Sequence, residues 1–564
     1  RSLKSIALSP EMRAALGTDA AELTPNELIR TILSAPVDLL FNGGIGTYVK
    51  SSHESHADVG DKTNEFCRIN GGELRCKVVG EGGNLGFTQL GRVEYALKGG
   101  LINTDFIDNS AGVDCSDHEV NLKILLDQDV AAGKLSESSR NAFLATLTQE
   151  VAALVLKDNE DQALVMSFSA ESAKRNIGLH QHFLQALESA NAIDRRVEFL
   201  PDDKTILERK AAGLGFTRPE IAVLLAYSKI QIKHEILAST LTEDANLNMI
   251  VETAFPPTVR EKYSHLMKGH RLYRDIVATQ LSNKVVNEMG ITFVYRMQME
   301  TGASIDNIIH AYTIASAVFK ASELRHLIEN LGVTVPLKAQ YEMLFQIRTL
   351  ISLATRWFLH SRHLKNNMKK TIEHFSVRIE QLKNLVPNLM GGETKKYLAN
   401  LIESFHQKGL SQEDARTIAT YRAIYTTLNI VEVATQHQFD LEQTAQVYFL
   451  AGEKLNLLWF RDQISKDTRE GHWNALARLT LRDELDIAQR ALTIAVIKSS
   501  YEESHPEILL KGWLERNKMA IHRWDSLLAM LHASPDVDYT MFFIAIRELL
   551  GLVMNSMHEQ GIIS

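Results

Sequence analysis

Apolar residues in the first 120 positions come in short runs broken by turns: VDLLF at 37–41, CKVV at 76–79 and LINTDF at 101–106. Between the last two, residues 88–98 have the composition of a helix. Apolar runs separated by turn-plus-helix segments predict βαβ units with these three runs as parallel strands of one sheet. Beyond about Glu119 the period lengthens. Leu144, Leu147, Val151, Leu154 and Val155 fall at helical spacing, as do Ile221, Leu224, Leu225, Ser228 and Ile232. Ahead of the second run, Thr217-Arg218-Pro219-Glu220 has the form of a capping box with proline in the first turn. The expected fold class is α/β followed by all-α, with more than half of 119–564 helical. Breaks at 200–215, 253–259 and 386–392 punctuate the helical part, and no repeat of fixed period runs through it.

Glycine usage supports the division. Fifteen of the 31 glycines lie in the first 120 residues, and the other 444 residues share 16. A hydrophobic content of 45% and a charged content of 23% describe an ordinary globular chain. The net charge of −8, with no basic block to offset it, speaks against nucleic acid as a partner. Three cysteines (Cys67, Cys76, Cys115) make no disulfide framework and point to a reducing, cytoplasmic setting. No uninterrupted apolar run reaches eighteen residues and no charged-then-apolar leader is present, so no membrane association is expected. The first residue is Arg1 rather than Met, which suggests a fragment or a processed product.

In parallel α/β sheets, ligands sit at the carboxyl ends of the strands. Three stretches occupy those ends here: NGGIGTY at 42–48, GEGGNLG at 80–86 and IDNSAGVDCS at 107–116. The middle one nearly matches the dinucleotide fingerprint G-x-G-x-x-G. Gly80 and Gly82 fit, but Leu85 stands at the third position and Gly86 comes one residue late. In the third stretch, Asn109, Ser116, Asp117, His118 and Glu119 follow a predicted strand, where Asn or Ser can hydrogen-bond a carboxylate or carboxamide. The same residues also read as a helix start, with Ser116 as N-cap and Glu119 as its capping-box partner. Such a start is itself favourable for an anion. His53 with His56, and His360 with His363, are each three apart, but nothing nearby completes a zinc pattern, so no metal is expected.

VDLLFNGGIGTYVK, KVVGEGGNLGFTQLGR and GGLINTDFIDNSAGVDCSDHEVN together closely resemble the very large bacterial NAD-dependent glutamate dehydrogenases. RPEIAVLLAYSKI and YRDIVATQLSNKVVNEMG resemble them too, so the likeness covers nearly the whole chain. Smaller glutamate dehydrogenases carry EGAN and NAGGVxxSxxE, matched here by Glu81-Gly82-Gly83-Asn84 and by 109–119, with Gly83 for alanine and Ser110-Ala111 for Ala-Gly.

The resemblance implies NAD-dependent oxidative deamination of L-glutamate to 2-oxoglutarate and ammonia, in a homo-oligomer. It implies the second half of a Rossmann-like dinucleotide-binding domain, with a parallel sheet, over 1–125. Helical regions over 126–390 and 391–564 would follow. Gly43, Gly44, Gly82, Gly83, Asn84 and Asn109 would then border the cofactor, with GEGGNLG at the nicotinamide ribose rather than the pyrophosphate. Asn109 and Ser116 would border the substrate, Ser116 at its side-chain carboxylate. The family's catalytic lysine, in a GGxK context, and its catalytic aspartate are not identified in these residues. The chain is therefore expected to be an inactive part of a longer enzyme. Two alternatives stand beside this reading: a dehydrogenase for another, apolar amino acid, or a helical assembly or regulatory module.

Overall fold

A computed structural model describes residues 3–421, 423–466, 472–500, 505–534 and 538–560. It divides into two units: Arg1–Met299 with Ser304–Asp306, and Glu300–Ala303 with Asn307–Ser564. The first unit holds six short strands: β1 (Ile6–Ala7), β2 (Glu22–Leu23), β3 (Leu39–Asn42), β4 (Val49–Lys50), β5 (Ile69–Asn70) and β6 (Val78–Glu81). Helices α1 (Pro10–Leu16), α2 (Pro25–Leu33), α3 (His56–Val59), α4 (Gln89–Leu97) and α5 (Asp105–Asp108) lie among and just after them. Longer helices follow: α6 (Ser110–Ala131), α7 (Glu137–Thr146), α8 (Thr148–Glu171), α9 (Ile177–Ser189), α10 (Asp203–Ala211) and α11 (Arg218–Ala238).

Strand β3 pairs in parallel with β6, with Leu39 opposite Val78 and Asn42 opposite Glu81. Strands β4 and β5 pair in parallel, and β1 with β2 antiparallel. The expected parallel relation of the first two apolar runs is present, about two residues further along each run. The third run is not a strand. Only Leu101 bridges Val78 in parallel, and the chain then turns into α5. The polar residues in LINTDF explain this. Thr104 donates its hydroxyl to the Pro219 carbonyl and Asp105 accepts the Leu85 amide, so their side chains serve neighbouring segments rather than a ladder. The result is a two-stranded parallel ladder with one bridge; a complete doubly wound sheet is not present among the described residues.

One face of this ladder packs on Val49, Ile69, Cys76, Phe87, Tyr95 and Ile102, with Val79 at its centre. Period-2 alternation sends Leu39 and Phe41 to the opposite face, where they are 56% and 66% exposed beside Val78 and Leu101.

The helical reading of the rest holds. At the start of α11, Glu220 accepts the Thr217 amide (2.7 Å) and hydroxyl (2.8 Å), closing the capping box read from the sequence. Glu220 is also buried against Arg209 at 2.7 Å, so one carboxylate serves both a cap and an ion pair. In the second unit the core gathers Phe460, Trp513, Trp524 and Phe542 around the helices His472–Ile497 and Tyr539–Glu559. Tyr539–Glu559 is long and apolar enough to cross a membrane by length and composition. Here Phe542, Ala545, Ile546, Leu549 and Val553 make it a core helix.

His180 on α9 is buried edge-on against Phe216 at 5.6 Å, and burial lowers its pKa to about 4. In the unfolded chain it titrates near 6.5, so below that pH the unfolded state binds the extra proton and stability falls until about pH 4. Between those limits the loss reaches about 3 kcal/mol. Urea unfolding of the wild type and of His180→Gln between pH 4 and 7 should show a pH slope that is shallower in the variant.

Candidate functional site

The three glycine-bearing stretches meet at the carboxyl ends of β3 and β6. The Asn42 carbonyl accepts the amides of both Gly82 and Gly83 (2.9 and 3.0 Å), and its side-chain oxygen accepts the Gly44 amide at 3.2 Å. The Thr47 hydroxyl donates to the Leu85 carbonyl at 2.8 Å, and the Gly86 carbonyl accepts the Tyr48 amide. The loops after β3 and β6 are thus laced together by backbone.

Gly83 has its own reason to be glycine. A Cβ there would lie 2.4 Å from the Gly44 carbonyl oxygen, so the departure from the EGAN form follows from loop-on-loop contact. A Cβ on Gly82 would strike the Phe41 ring at 2.5 Å. Gly44 is different, because a Cβ there meets nothing within 4 Å.

Beneath the loops lies a charged cluster that sequence reasoning missed. Glu81, fully buried, takes two hydrogen bonds from Arg92 of α4 (2.7 and 3.0 Å). Arg92 also sits 3.3 Å from Asp105. Asp105 accepts the Leu85 amide at 2.7 Å, and Asp108 accepts the Glu81 amide at 3.1 Å. Burial pushes the Glu81 carboxyl upward, opposed by Arg92. Glu81 and Arg92 are eleven positions apart, a spacing that no motif marks.

Asn109 stands at the junction of α5 and α6. Its side chain makes no cap hydrogen bond to α6. Its amide instead donates to the Gly83 carbonyl (3.2 Å) and to the Asn84 side-chain oxygen (2.5 Å). Two of the predicted residues are therefore joined, with the start of α6 uncapped beside them and Asn84 exposed. Ser116 is not brought to them. It is not the N-cap either: α6 begins at Ser110, and Ser116 lies inside the helix, donating to the Gly112 carbonyl at 3.2 Å. The helix starts early because α5 delivers Asn109 directly into it. Seven residues of rise set Ser116 about 10 Å along the axis from Asn109, on an exposed side.

On another side of α6, Asp114 and His118 face Asp158 of α8. Burial raises the Asp158 carboxyl to about 6, with Asp114 adding to the shift, and lowers nearby Lys229 to about 8. The paired histidines of the sequence have other partners. His56 Nδ1 lies 3.1 Å from Arg68 in the first unit. In the second, His363 lies 2.5 Å from Glu432 and His360 3.7 Å from Asp483.

Residues 213–551 match the family model described as glutamate dehydrogenase, C-terminal, and residues 1–169 match that of the bacterial NAD-glutamate dehydrogenase catalytic domain. The chain belongs to the bacterial NAD-specific glutamate dehydrogenase family. It is similar to proteins named NAD-specific glutamate dehydrogenase from Pseudomonas aeruginosa (44% identity over 558 residues), Halomonas elongata (40% over 553) and Mycobacterium tuberculosis (36% over 562). Each alignment covers 98% or 99% of this chain and 34% of the relative, so the chain spans about a third of their length. The catalytic-domain match over 1–169 gives no support to the expectation of a piece lacking catalytic residues.

Gly83→Ala and Gly44→Ala should separate structure from access. The first is expected to destabilise the chain by about 1–3 kcal/mol through the clash with the Gly44 carbonyl. The second should change stability by less than about 1 kcal/mol. Thermal unfolding of both variants measures the contrast, and equal losses would contradict it.

Proposed function

We propose that this chain contributes the nicotinamide side of the active site of an NAD-dependent glutamate dehydrogenase, converting L-glutamate to 2-oxoglutarate and ammonia. The observation that carries the reading is the convergence of all three loops, tied by the Asn109 amide on Gly83 and Asn84. The relatives' names and the catalytic-domain match supply the substrate and the cofactor.

Residues 1–125 would form the second half of a Rossmann-like domain. The exposed apolar face of Leu39, Phe41, Val78 and Leu101 supports this, because parallel sheets are covered on both faces. Helical regions over 126–390 and 391–564 complete the proposed division. The fit to a dinucleotide rests on exposed backbone at Gly43 and Gly44, exposed Gly82, Gly83 at the loop junction, and the Asn84–Asn109 amide pair. Bound NAD would accept the hydride. Asn84 and Asn109 would orient the nicotinamide ribose and carboxamide, and the uncapped start of α6 would favour an anionic group.

Ser116 would reach the distal carboxylate of glutamate by turning its hydroxyl from the Gly112 carbonyl. The acid/base group is proposed to be a lysine; the GGxK context that the resemblance implies for it does not occur in the 564 residues. Buried Cys67 and Cys76, neither of them in a disulfide, suit a cytoplasmic setting, and a homo-oligomer is part of the same proposal.

Ser116→Val, made in a polypeptide of the relatives' length, should lower kcat/KM for glutamate about 10- to 100-fold, the worth of one hydrogen bond to a charged group. Its ratio of glutamate over norvaline should fall correspondingly. An unchanged ratio, read from NADH absorbance, would leave Ser116 a structural residue. Steady turnover by the 564-residue chain alone would place the acid/base group within it.

A further inference from the structure

We propose that Asp114, His118 and Asp158 form a binding site for one first-row divalent cation, of the zinc class, clamping α6 to α8. His118 is only 7% exposed, and its Nε2 has no hydrogen-bond partner. That nitrogen lies 3.7 Å from Asp114 Oδ1 and 4.0 Å from Asp158 Oδ2, too far for hydrogen bonds to either. One donor atom from each of the three residues lies within 4.8 Å of the others. Asp114 Oδ2 is likewise buried without a partner. An orphaned imidazole nitrogen aimed between two carboxylates is costly in an interior. It is the arrangement a shared cation would satisfy.

The dimensions fit. Zinc–oxygen and zinc–nitrogen bonds of about 2.0–2.2 Å set tetrahedral donor atoms about 3.3–3.6 Å apart. The separations of 3.7 and 4.0 Å from the imidazole need a contraction of only a few tenths of an ångström, and the two carboxylate donors lie within 4.8 Å of each other. Asp114 and His118 are four residues apart on one face of α6, so the helix presents both donors together. Asp158 comes from the neighbouring helix, and the residue next to it is tied down: Asn159 accepts the Ser110 hydroxyl at 2.6 Å. The nearby Lys229 ammonium, whose charge acts on Asp158 and Asp114, donates to Gln162 at 3.1 Å. Two carboxylates and one imidazole favour a first-row transition ion or zinc over magnesium, which prefers all-oxygen octahedra and keeps its waters. A water would complete the coordination. The site lies on a different side of α6 from Ser116 and does not depend on the proposed reaction.

The competing arrangement is an imidazolium ion pair with both aspartates, which takes up no metal. The test uses the full chain, freed of metal with a chelator and titrated with Zn2+ by calorimetry, with Mg2+ in a parallel titration. Surface histidines bind zinc weakly, so the difference between wild type and variants is what counts. The wild type should bind one equivalent saturably, at least tenfold more tightly than Asp158→Asn or His118→Gln, and at least 100-fold more tightly than it binds Mg2+. Asp158 is half-exposed, so Asp158→Asn keeps the test decisive even if His118→Gln fails to fold. Absence of a saturable equivalent in the wild type overturns the proposal. So does affinity unchanged in Asp158→Asn, or Mg2+ binding as tight as Zn2+.

Discussion

Glu81 ends β6 with its carboxylate shut away from water, and the loop end of the sheet is organised around keeping that group paired. A buried carboxylate stripped of its partner costs several kcal/mol, whereas a well-formed buried pair roughly breaks even. The pair therefore fixes position more than it adds stability. Arg92 brings α4 to the strand end, and its second contact, Asp105, brings the start of α5. Asp105 in turn holds the Leu85 amide and Asp108 holds the Glu81 amide, so both limbs of the GEGGNLG turn are anchored from below. Leu85 takes a left-handed φ of 59° inside that anchored turn. A non-glycine residue accepts that conformation only where its surroundings hold it there. Asn84 is presented outward as a consequence.

What could be read in the sequence was local. The capping box at Thr217 depends on four consecutive residues, and it forms as read. The parallel relation of β3 and β6 was read from apolar runs separated by turns, and it too is present, with the helix read at 88–98 following β6. The strand at 101–106 failed because apolar Leu101, Ile102 and Phe106 outweighed Asn103, Thr104 and Asp105 in the reading, while in the fold those polar side chains have tertiary partners. Ser116 was read as a helix N-cap because Ser-x-x-Glu is a real capping signal; α5 pre-empted it by starting α6 seven residues earlier. Glu81–Arg92 and the approach of Asp158 to Asp114 and His118 are tertiary facts, and a single sequence carries no sign of them. Asn84 and Asn109 came from resemblance, and the geometry supplies what resemblance could not: their mutual hydrogen bond.

The helical unit uses buried polar pairs in a comparable way. Arg461 and Asp486 meet at 2.5 Å in the interior, Tyr425 donates to the same aspartate at 3.0 Å, and Arg461 donates to Gln489 at 2.9 Å. Trp357 and Arg490 both donate to Asn429. Leu, Ile and Val at helical spacing let helices slide or rotate with little penalty. A directed bond from Trp357 to Asn429 does not, because any other register leaves buried groups unsatisfied. The apolar periodicity visible in the sequence thus specifies that helices pack, and the polar residues set how they align.

Helix α6 carries the two proposed sites on different sides, and its rigidity links them. Asp114 and His118 point toward α8, while Ser116, midway between them in sequence, lies about 200° around the axis from Asp114. Neither side can move without the other, since an α-helix that spans 22 residues behaves as a rod over one turn. Holding Asp114 and His118 against Asp158 therefore fixes where the Ser116 hydroxyl stands, as the Asn109 amide fixes where the helix begins. A substrate carboxylate read by Ser116 would be measured against a scaffold tied at both places, and positioning to within an ångström is what orientation in a hydride transfer demands.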